Sequence, residues 1–171
     1  RPSARELAAQ WLNAHRPRIA TRRFERWVRI NPLDTQFWRE DLHAAMSGGP
    51  DGIVLPKAGG PEQVRQLAAE IYELEQRNGV PSGSTRIVPL VSETAEAALD
   101  VSGYVGESLP PLAGLMWGGE DLSAAIGASR KYGPDGNWTD TFRMVRATVL
   151  LTAHACGVPA IDTLHADFRD E

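Results

Sequence analysis

The sequence contains little of the two residue types that most often bind zinc, with one cysteine and four histidines among 171 residues. A single cysteine, Cys156, excludes an intrachain disulfide, and we expect it to be a small core residue of a helix. His15, His43, His154 and His165 share no ligand spacing, which argues against a zinc enzyme. The Gly-x-Ser-x-Gly elbow is also absent, so the sequence offers no candidate for nucleophilic catalysis.

Long apolar runs and a basic excess are absent too. No segment approaches the roughly 18 apolar residues needed to cross a bilayer, and the N-terminus has no secretory pattern. The formal net charge of −4 argues against nucleic acid as a partner. The basic stretch at residues 16–26 is interrupted by apolar residues, as in a solvated helix end. A composition of 42% hydrophobic and 23% charged residues predicts a globular, cytoplasmic protein without a membrane or nucleic-acid partner.

Short apolar segments alternate with helical patterns along the chain. Five near-continuously apolar segments are typical of buried parallel strands: residues 27–31, 52–56, 86–91, 113–118 and 158–162. Apolar residues at helical spacing predict four helices: residues 4–14, 35–46, 61–77 and 139–156. The first helix is expected to turn Leu7, Ala8, Trp11 and Leu12 inward, and the second Phe37, Leu42 and Ala45.

Regular alternation of strand and helix predicts an α/β fold with a parallel sheet and right-handed crossovers. An open doubly wound sheet and a closed barrel both satisfy this pattern, but no G-x-G-x-x-G turn supports a dinucleotide-binding version. A complete eight-unit barrel takes about 250 residues. With only five strand candidates in 171 residues, we expect a single domain over residues 1–171 that lacks material at both ends.

Polar side chains follow every predicted strand, where barrel and doubly wound enzymes place their chemistry. In chain order they are Arg29 and Asn31, Lys57, Ser92 and Glu93, Glu120 and Asp121, and Asp162. Carboxylates from two neighbouring strand ends, such as Glu93 and Asp121, suit Mg2+, which prefers one or two protein carboxylates. The residues alone leave open whether these two acids instead cap the helices that begin there.

Two further features suit an anionic ligand. The Gly118–Gly119 pair admits a close backbone approach, with amide groups that can cradle a carboxylate. Arg29 lies between Val28 and Ile30 and is expected to be buried, where it needs a carboxylate partner. That partner is either a ligand or an internal acid, Glu93 or Glu120.

Five segments in order resemble successive strands of the citrate lyase beta-subunit-like family, within the HpcH/HpaI aldolase and citrate lyase superfamily. They are residues 28–32 (VRINP), 51–57 (DGIVLPK), 88–94 (VPLVSET), 116–122 (MWGGEDL) with 126–127 (IG), and 157–163 (GVPAIDT). The resemblance runs from Ala4 to Asp167. It departs from the family pattern at Trp117. The first two strands, which in the family include an acidic element, are absent from the matched segments, as are the last strand and the C-terminal segment.

The resemblance implies a TIM-type (β/α)8 barrel, represented here by about five central βα units. It implies that Glu93 and Asp121 hold Mg2+, that Arg29 is a catalytic residue binding an oxo-acid carboxylate, and that Gly119 and Glu120 contact the same acid. Lys57 is expected near the substrate. Family members are commonly homotrimers or hexamers.

The implied activity is Mg2+-dependent carbon–carbon cleavage of a 3-hydroxyacyl-CoA of the citryl-, malyl- or citramalyl-CoA type. The partners would be an acyl-CoA and an oxo-acid. Three alternatives remain open at this stage: a malyl-CoA thioesterase or malate synthase-like enzyme, a CoA-independent hydroxy-oxo-acid aldolase, and a non-catalytic oxo-acid-binding subunit.

Overall fold

The computed structural model describes residues 2–15 and 24–164. His165 and most of the basic stretch at 16–26 lie outside these residues, so the predictions made for them stay predictions. In the part of the chain that is described, no helix is long and apolar enough to cross a membrane.

Five strands form at the predicted places. They are β1 (Trp27–Arg29), β2 (Gly52–Leu55), β3 (Arg86–Pro89), β4 (Leu115–Met116) and β5 (Ala160–Ile161). Each is shorter than the apolar segment that predicted it. Three of the segments meet a proline at or beside one end, Pro32, Pro56 and Pro159, and proline cannot donate a ladder hydrogen bond.

All strand pairs are parallel and follow chain order. β1, β2 and β3 form one sheet, and β4 pairs with β5. Parallel bridges join Ile87 to Leu112 and Leu90 to Met116, so β4 lies beside β3. A doubly wound sheet reverses its strand order at a switch point, and the described strands show no such reversal. The predicted α/β fold with a parallel sheet is confirmed.

Six α-helices within the described residues connect or flank these strands. They are α1 (Pro2–His15), α2 (Trp38–Ser47), α3 (Pro61–Asn78), α4 (Ala95–Leu99), α5 (Gly119–Ala125) and α6 (Asp140–Ala155), and a 3-10 helix spans Val101–Tyr104. Helix α3 begins with proline at its first position and ends at Gly79, which adopts a left-handed φ of 64° and donates to Glu75 O. Both signals were readable from the sequence.

The core lies between the sheet and helices α2 and α3. Ile53, Leu55 and Ile87 project from the strands into one cluster with Leu42 and Leu67, and all five are buried. Each buried Leu or Ile side chain stabilises the fold by roughly 2 kcal/mol. Since side chains alternate across a strand, the residues between them project from the opposite face of the sheet.

The inward face of α1 was predicted wrongly. Leu12 is buried, but Leu7 and Trp11 are 65% and 49% exposed. Leu12 sits against Gly48 at the end of α2, so closely that a Cβ on that glycine would lie 2.4 Å from the Leu12 Cβ. Trp11 instead stacks on the His15 ring. A close approach at one point replaces the broad apolar contact that the pattern predicted.

Helix α2 begins at Trp38 and not at Thr35, so the buried aromatic residue is Trp38. The side chain of Phe37 is 47% exposed, which corrects its predicted inward position. Thr35 folds back in a turn, donating from its Oγ1 to Pro32 O at 2.8 Å. This turn delays the helix by three residues.

Cys156 is the C-terminal capping residue of α6 and packs partly buried against the core, close to its predicted role. Its Sγ lies 3.3 Å from Tyr104 O, as a weak S–H donor. Burial raises the pKa of the Cys156 thiol, which disfavours the reactive thiolate.

Candidate metal centre

Glu93 follows the carboxyl end of β3 and is only 5% exposed. It does not cap the next helix: Thr94 does so, its Oγ1 accepting a hydrogen bond from Ala97 N at 3.2 Å. The Glu93 carboxylate instead turns toward the loop after β2, where its Oε2 accepts a hydrogen bond from Lys57 N at 2.6 Å. The helix-cap alternative is therefore wrong for Glu93.

Asp121 enters from the neighbouring strand end, in the first turn of α5. The turn that carries it begins with Gly118, which packs against Glu93. A Cβ on Gly118 would lie 2.7 Å from Glu93 Cγ and 3.0 Å from Glu93 Oε1. Only glycine therefore lets this turn approach the Glu93 side chain so closely.

Lys57 connects the two acids. Its backbone amide binds Glu93, and its Nζ lies 3.4 Å from Asp121 Oδ1. The side chains of Lys57 and Asp121 are each about half exposed, at 47% and 46%. The structure thus brings together three of the residues that the sequence singled out.

The electrostatics of the pair favour a cation. Burial raises the pKa of Glu93, the hydrogen bond from Lys57 N–H opposes this rise, and the adjacent Asp121 carboxyl increases it. Two carboxylates in contact repel each other when both are ionised. A positive charge between them would relieve that repulsion and favour the ionised form of Glu93.

Two hydroxyl groups hold the glycine turn from either side. Gly118 N donates to Ser92 Oγ at 3.2 Å, and Gly119 N donates to Thr163 Oγ1 at 3.0 Å. Ser92 is one of the predicted strand-end residues, but neither contact was predicted from the sequence. The available signal was a hydroxyl residue at the same strand end on either side of the glycines.

The other predicted site residues are arranged differently. Glu120 forms an ion pair with Lys131. Asp162 accepts hydrogen bonds from Trp117 Nε1 at 2.5 Å and Arg146 Nη2 at 2.6 Å. Both acids therefore have partners within the protein: Glu120 pairs with Lys131, and Asp162 binds Trp117 and Arg146.

Arg29 is exposed, which corrects the expectation that it is buried. It pairs in register with Val54, on the sheet face opposite Ile53 and Leu55, and β1 has one strand neighbour among the described strands. Within residues 2–15 and 24–164, no ion pair links Arg29 to Glu93 or Glu120.

The donor set fits a hard divalent cation. Glu93 and Asp121 supply only oxygen atoms, and Mg2+ needs no more than one or two protein carboxylates. Among the described residues, no group of three His, Cys, Asp or Glu side chains is arranged to hold a metal. An ion that completes its coordination with water and ligand oxygens suits this pair better than one that requires four protein ligands.

The chain is similar to known proteins over most of its length. The profile of the HpcH/HpaI aldolase/citrate lyase family matches residues 1–171. A citrate lyase subunit beta-like protein of Mycobacterium tuberculosis is 36% identical over 143 residues, covering 84% of this chain and 46% of that protein. The mitochondrial citramalyl-CoA lyase of Mus musculus is 32% identical over 156 residues, covering 86% of this chain and 44% of that protein.

A solved structure is similar as well. It is protein CitE of M. tuberculosis in complex with magnesium and acetoacetate, with a TM-score of 0.67, 36% identity, and coverage of 84% of this chain and 53% of the other. The fold class is an α/β fold with a parallel sheet. The chain belongs to the HpcH/HpaI aldolase/citrate lyase family. It spans less than half the length of the two relatives described above.

Proposed function

We propose that this chain carries the metal centre of a Mg2+-dependent carbon–carbon lyase that cleaves a 3-hydroxyacyl-CoA to an oxo-acid and a short acyl-CoA. The observation that supports this most directly is the contact between Lys57, Glu93 and Asp121 at adjoining strand ends. The related proteins include a citramalyl-CoA lyase and a CitE structure with magnesium and acetoacetate.

In this proposal Glu93 and Asp121 hold Mg2+, which would stabilise negative charge on the substrate hydroxyl oxygen as it becomes a carbonyl. Arg29 has no ion pair in the described part of the chain and would bind the substrate carboxylate bidentately. The amides of the Gly118–Gly119 turn, held by Ser92 and Thr163, would keep Asp121 in place. We propose that Gly119 and Glu120 lie beside the bound oxo-acid, with the Gly119 N–H held by Thr163 and the Glu120 carboxylate paired with Lys131.

The bond changes are those of a retro-aldol cleavage, which for a thioester enolate is also described as retro-Claisen. The hydroxyl proton leaves to a base, and the oxygen lone pair forms the new carbonyl of the oxo-acid. The carbon–carbon bonding pair passes into the thioester, giving the enolate of the short acyl-CoA, which then takes up a proton.

We further propose that the five strands are part of a TIM-type barrel within a single domain over residues 1–171. Strand order equals chain order, and the helices α2 and α3 pack on one face of the sheet, as a barrel requires. A cytoplasmic location and a homotrimer or hexamer stay predictions.

The test is release of oxo-acid from citryl-, malyl- and citramalyl-CoA by the purified protein, with Mg2+ and then with EDTA. Asp121→Asn should lower kcat/KM by at least about 100-fold, because the metal supplies several kcal/mol of transition-state stabilisation. Asp140→Asn, at an exposed aspartate, is the matched control and should change it less than twofold.

The products separate the alternatives. Release of free malate with CoA would indicate a thioesterase, and cleavage of hydroxy-oxo-acids without CoA would indicate an aldolase. Binding of oxo-acid without turnover would indicate a binding subunit. Full activity of Asp121→Asn would contradict the metal centre itself.

A further inference from the structure

Lys57 adopts a backbone conformation that a lysine rarely adopts. Its φ is 51°, and it is the one non-glycine residue with a positive φ in the described chain. Leu90, directly after β3, fixes the turn on both sides: Leu90 N donates to Leu55 O at 2.8 Å, and Ala58 N donates to Leu90 O at 3.1 Å. Proline before a positive φ is typical of a type II turn, where glycine or asparagine usually takes the place of Lys57.

The strained backbone at Lys57 determines where its N–H group points. It directs the Lys57 N–H to Oε2 of the buried Glu93, at 2.6 Å. One Glu93 oxygen is thereby held by the protein. Since any residue except proline could supply that N–H, and glycine would do so without strain, the choice of lysine points to its side chain.

The lysine side chain reaches the second acid. Its ammonium lies 3.4 Å from Asp121 Oδ1, and both groups are about half exposed. A half-exposed ion pair of this kind is weak. It can therefore exchange with another cation on the same carboxylate.

We propose that Lys57 is a positioning residue of the metal centre and not a substrate ligand. Its backbone N–H orients Glu93, and its ammonium competes with a divalent cation for Asp121, which weakens metal binding. This inference rests on the proposed function, because it takes Glu93 and Asp121 to be the metal ligands.

The test is calorimetric titration of the purified protein with Mg2+ alone. Lys57→Met keeps the backbone N–H and removes the charge, and it should bind Mg2+ roughly three- to tenfold more tightly, the size expected for one partly screened charge a few ångströms away. Lys57→Arg should stay within about twofold of the wild type. The matched control, Arg77→Met, removes an exposed charge paired with Glu73 within its own helix and should have no effect.

Structural damage cannot imitate the expected result, because a damaged site binds metal more weakly. Unchanged or weaker Mg2+ binding by Lys57→Met would overturn the role of the ammonium. If the wild type binds Mg2+, Asp121→Asn loses binding and Lys57→Met equals the wild type, only this inference fails. If the wild type binds no Mg2+, the inference and the proposed metal centre fail together.

Discussion

The absence of a side chain at Gly118 leaves room for the Glu93 side chain. Its φ of −121° and ψ of 95° are open to any residue, so its backbone does not require glycine. The requirement comes from Glu93, whose Cγ would lie 2.7 Å from an added Cβ. Since the Glu93 side chain is buried and accepts a hydrogen bond from Lys57 N, it has little room to move away from an added Cβ.

Gly118→Ala should therefore displace the Glu93 carboxylate and weaken Mg2+ binding by at least about fivefold, a cost of about 1 kcal/mol. Calorimetric titration with Mg2+ measures this directly. The control is Gly59→Ala, in the loop after Lys57, whose Cβ would meet nothing closer than 3.7 Å. Equal Mg2+ affinity for Gly118→Ala and the wild type would show that Glu93 is not held as tightly as its contacts indicate.

At the same scale, the sequence predicted which acids meet but not how they are held. Glu93 and Asp121 were identified because both follow apolar strands, and parallel strands end at one edge of a sheet. The bonds from Gly118 to Ser92 and from Gly119 to Thr163 join residues 26 and 44 positions apart. No local pattern encodes such contacts. The exposure of Arg29 was missed because it depends on which strands flank β1.

At the scale of elements, strands and long helices were predictable because their signals are local. Pro61 and Gly79 mark the ends of α3, and continuous apolar runs mark the strands. The inward face of α1 was not predictable, because it depends on a glycine at the end of α2. Trp38 replaces Phe37 in the core for a similar reason, since the turn at Thr35 moves the helix start.

Arg26 links several of these elements and gives a test of their packing. It is 2% exposed and donates to the carbonyls of Leu12, Gly48 and Gly49 as well as to Asp51. Its guanidinium therefore connects the end of α1, the end of α2 and the approach to β1.

Arg26→Met should lower the free energy of unfolding by roughly 3 kcal/mol, because it leaves buried carbonyls without this donor while keeping an apolar stem. Urea unfolding measures the loss, and the midpoint should fall without a change of slope. Arg39→Met, at a side chain that is 58% exposed and paired with Glu70, is the control and should cost less than about 0.5 kcal/mol. A similar loss for both variants would show that Arg26 is not a special link.

At the scale of the whole molecule, ion pairs between arginines and acids connect parts of the chain that are distant in sequence. The pairs with a lowered acid pKa are Glu25 with Arg86, Asp41 with Arg5, and Asp162 with Arg146. For Asp41, partial burial alone raises the pKa, but hydrogen bonds from Arg5 and Asn31 outweigh it and the pKa is lowered. Asp41 is the least exposed of the three acids, with 15% of its side chain accessible.

A lowered pKa in the folded state fixes the direction of the pH dependence. Below the unfolded pKa of about 3.9, the unfolded chain binds protons more readily than the folded protein. The contribution of Asp41 to stability is therefore complete above that pH and is lost as the pH falls through the folded pKa.

Asp41→Asn should be less stable than the wild type at pH 7, and the difference should shrink steadily below about pH 4. Urea unfolding between pH 3 and pH 7 measures this, with the exposed Asp34→Asn as control. A difference that stays constant down to pH 3 would mean that the ion pair with Arg5 contributes nothing to stability, and that Asp41 acts through its neutral hydrogen bonds alone.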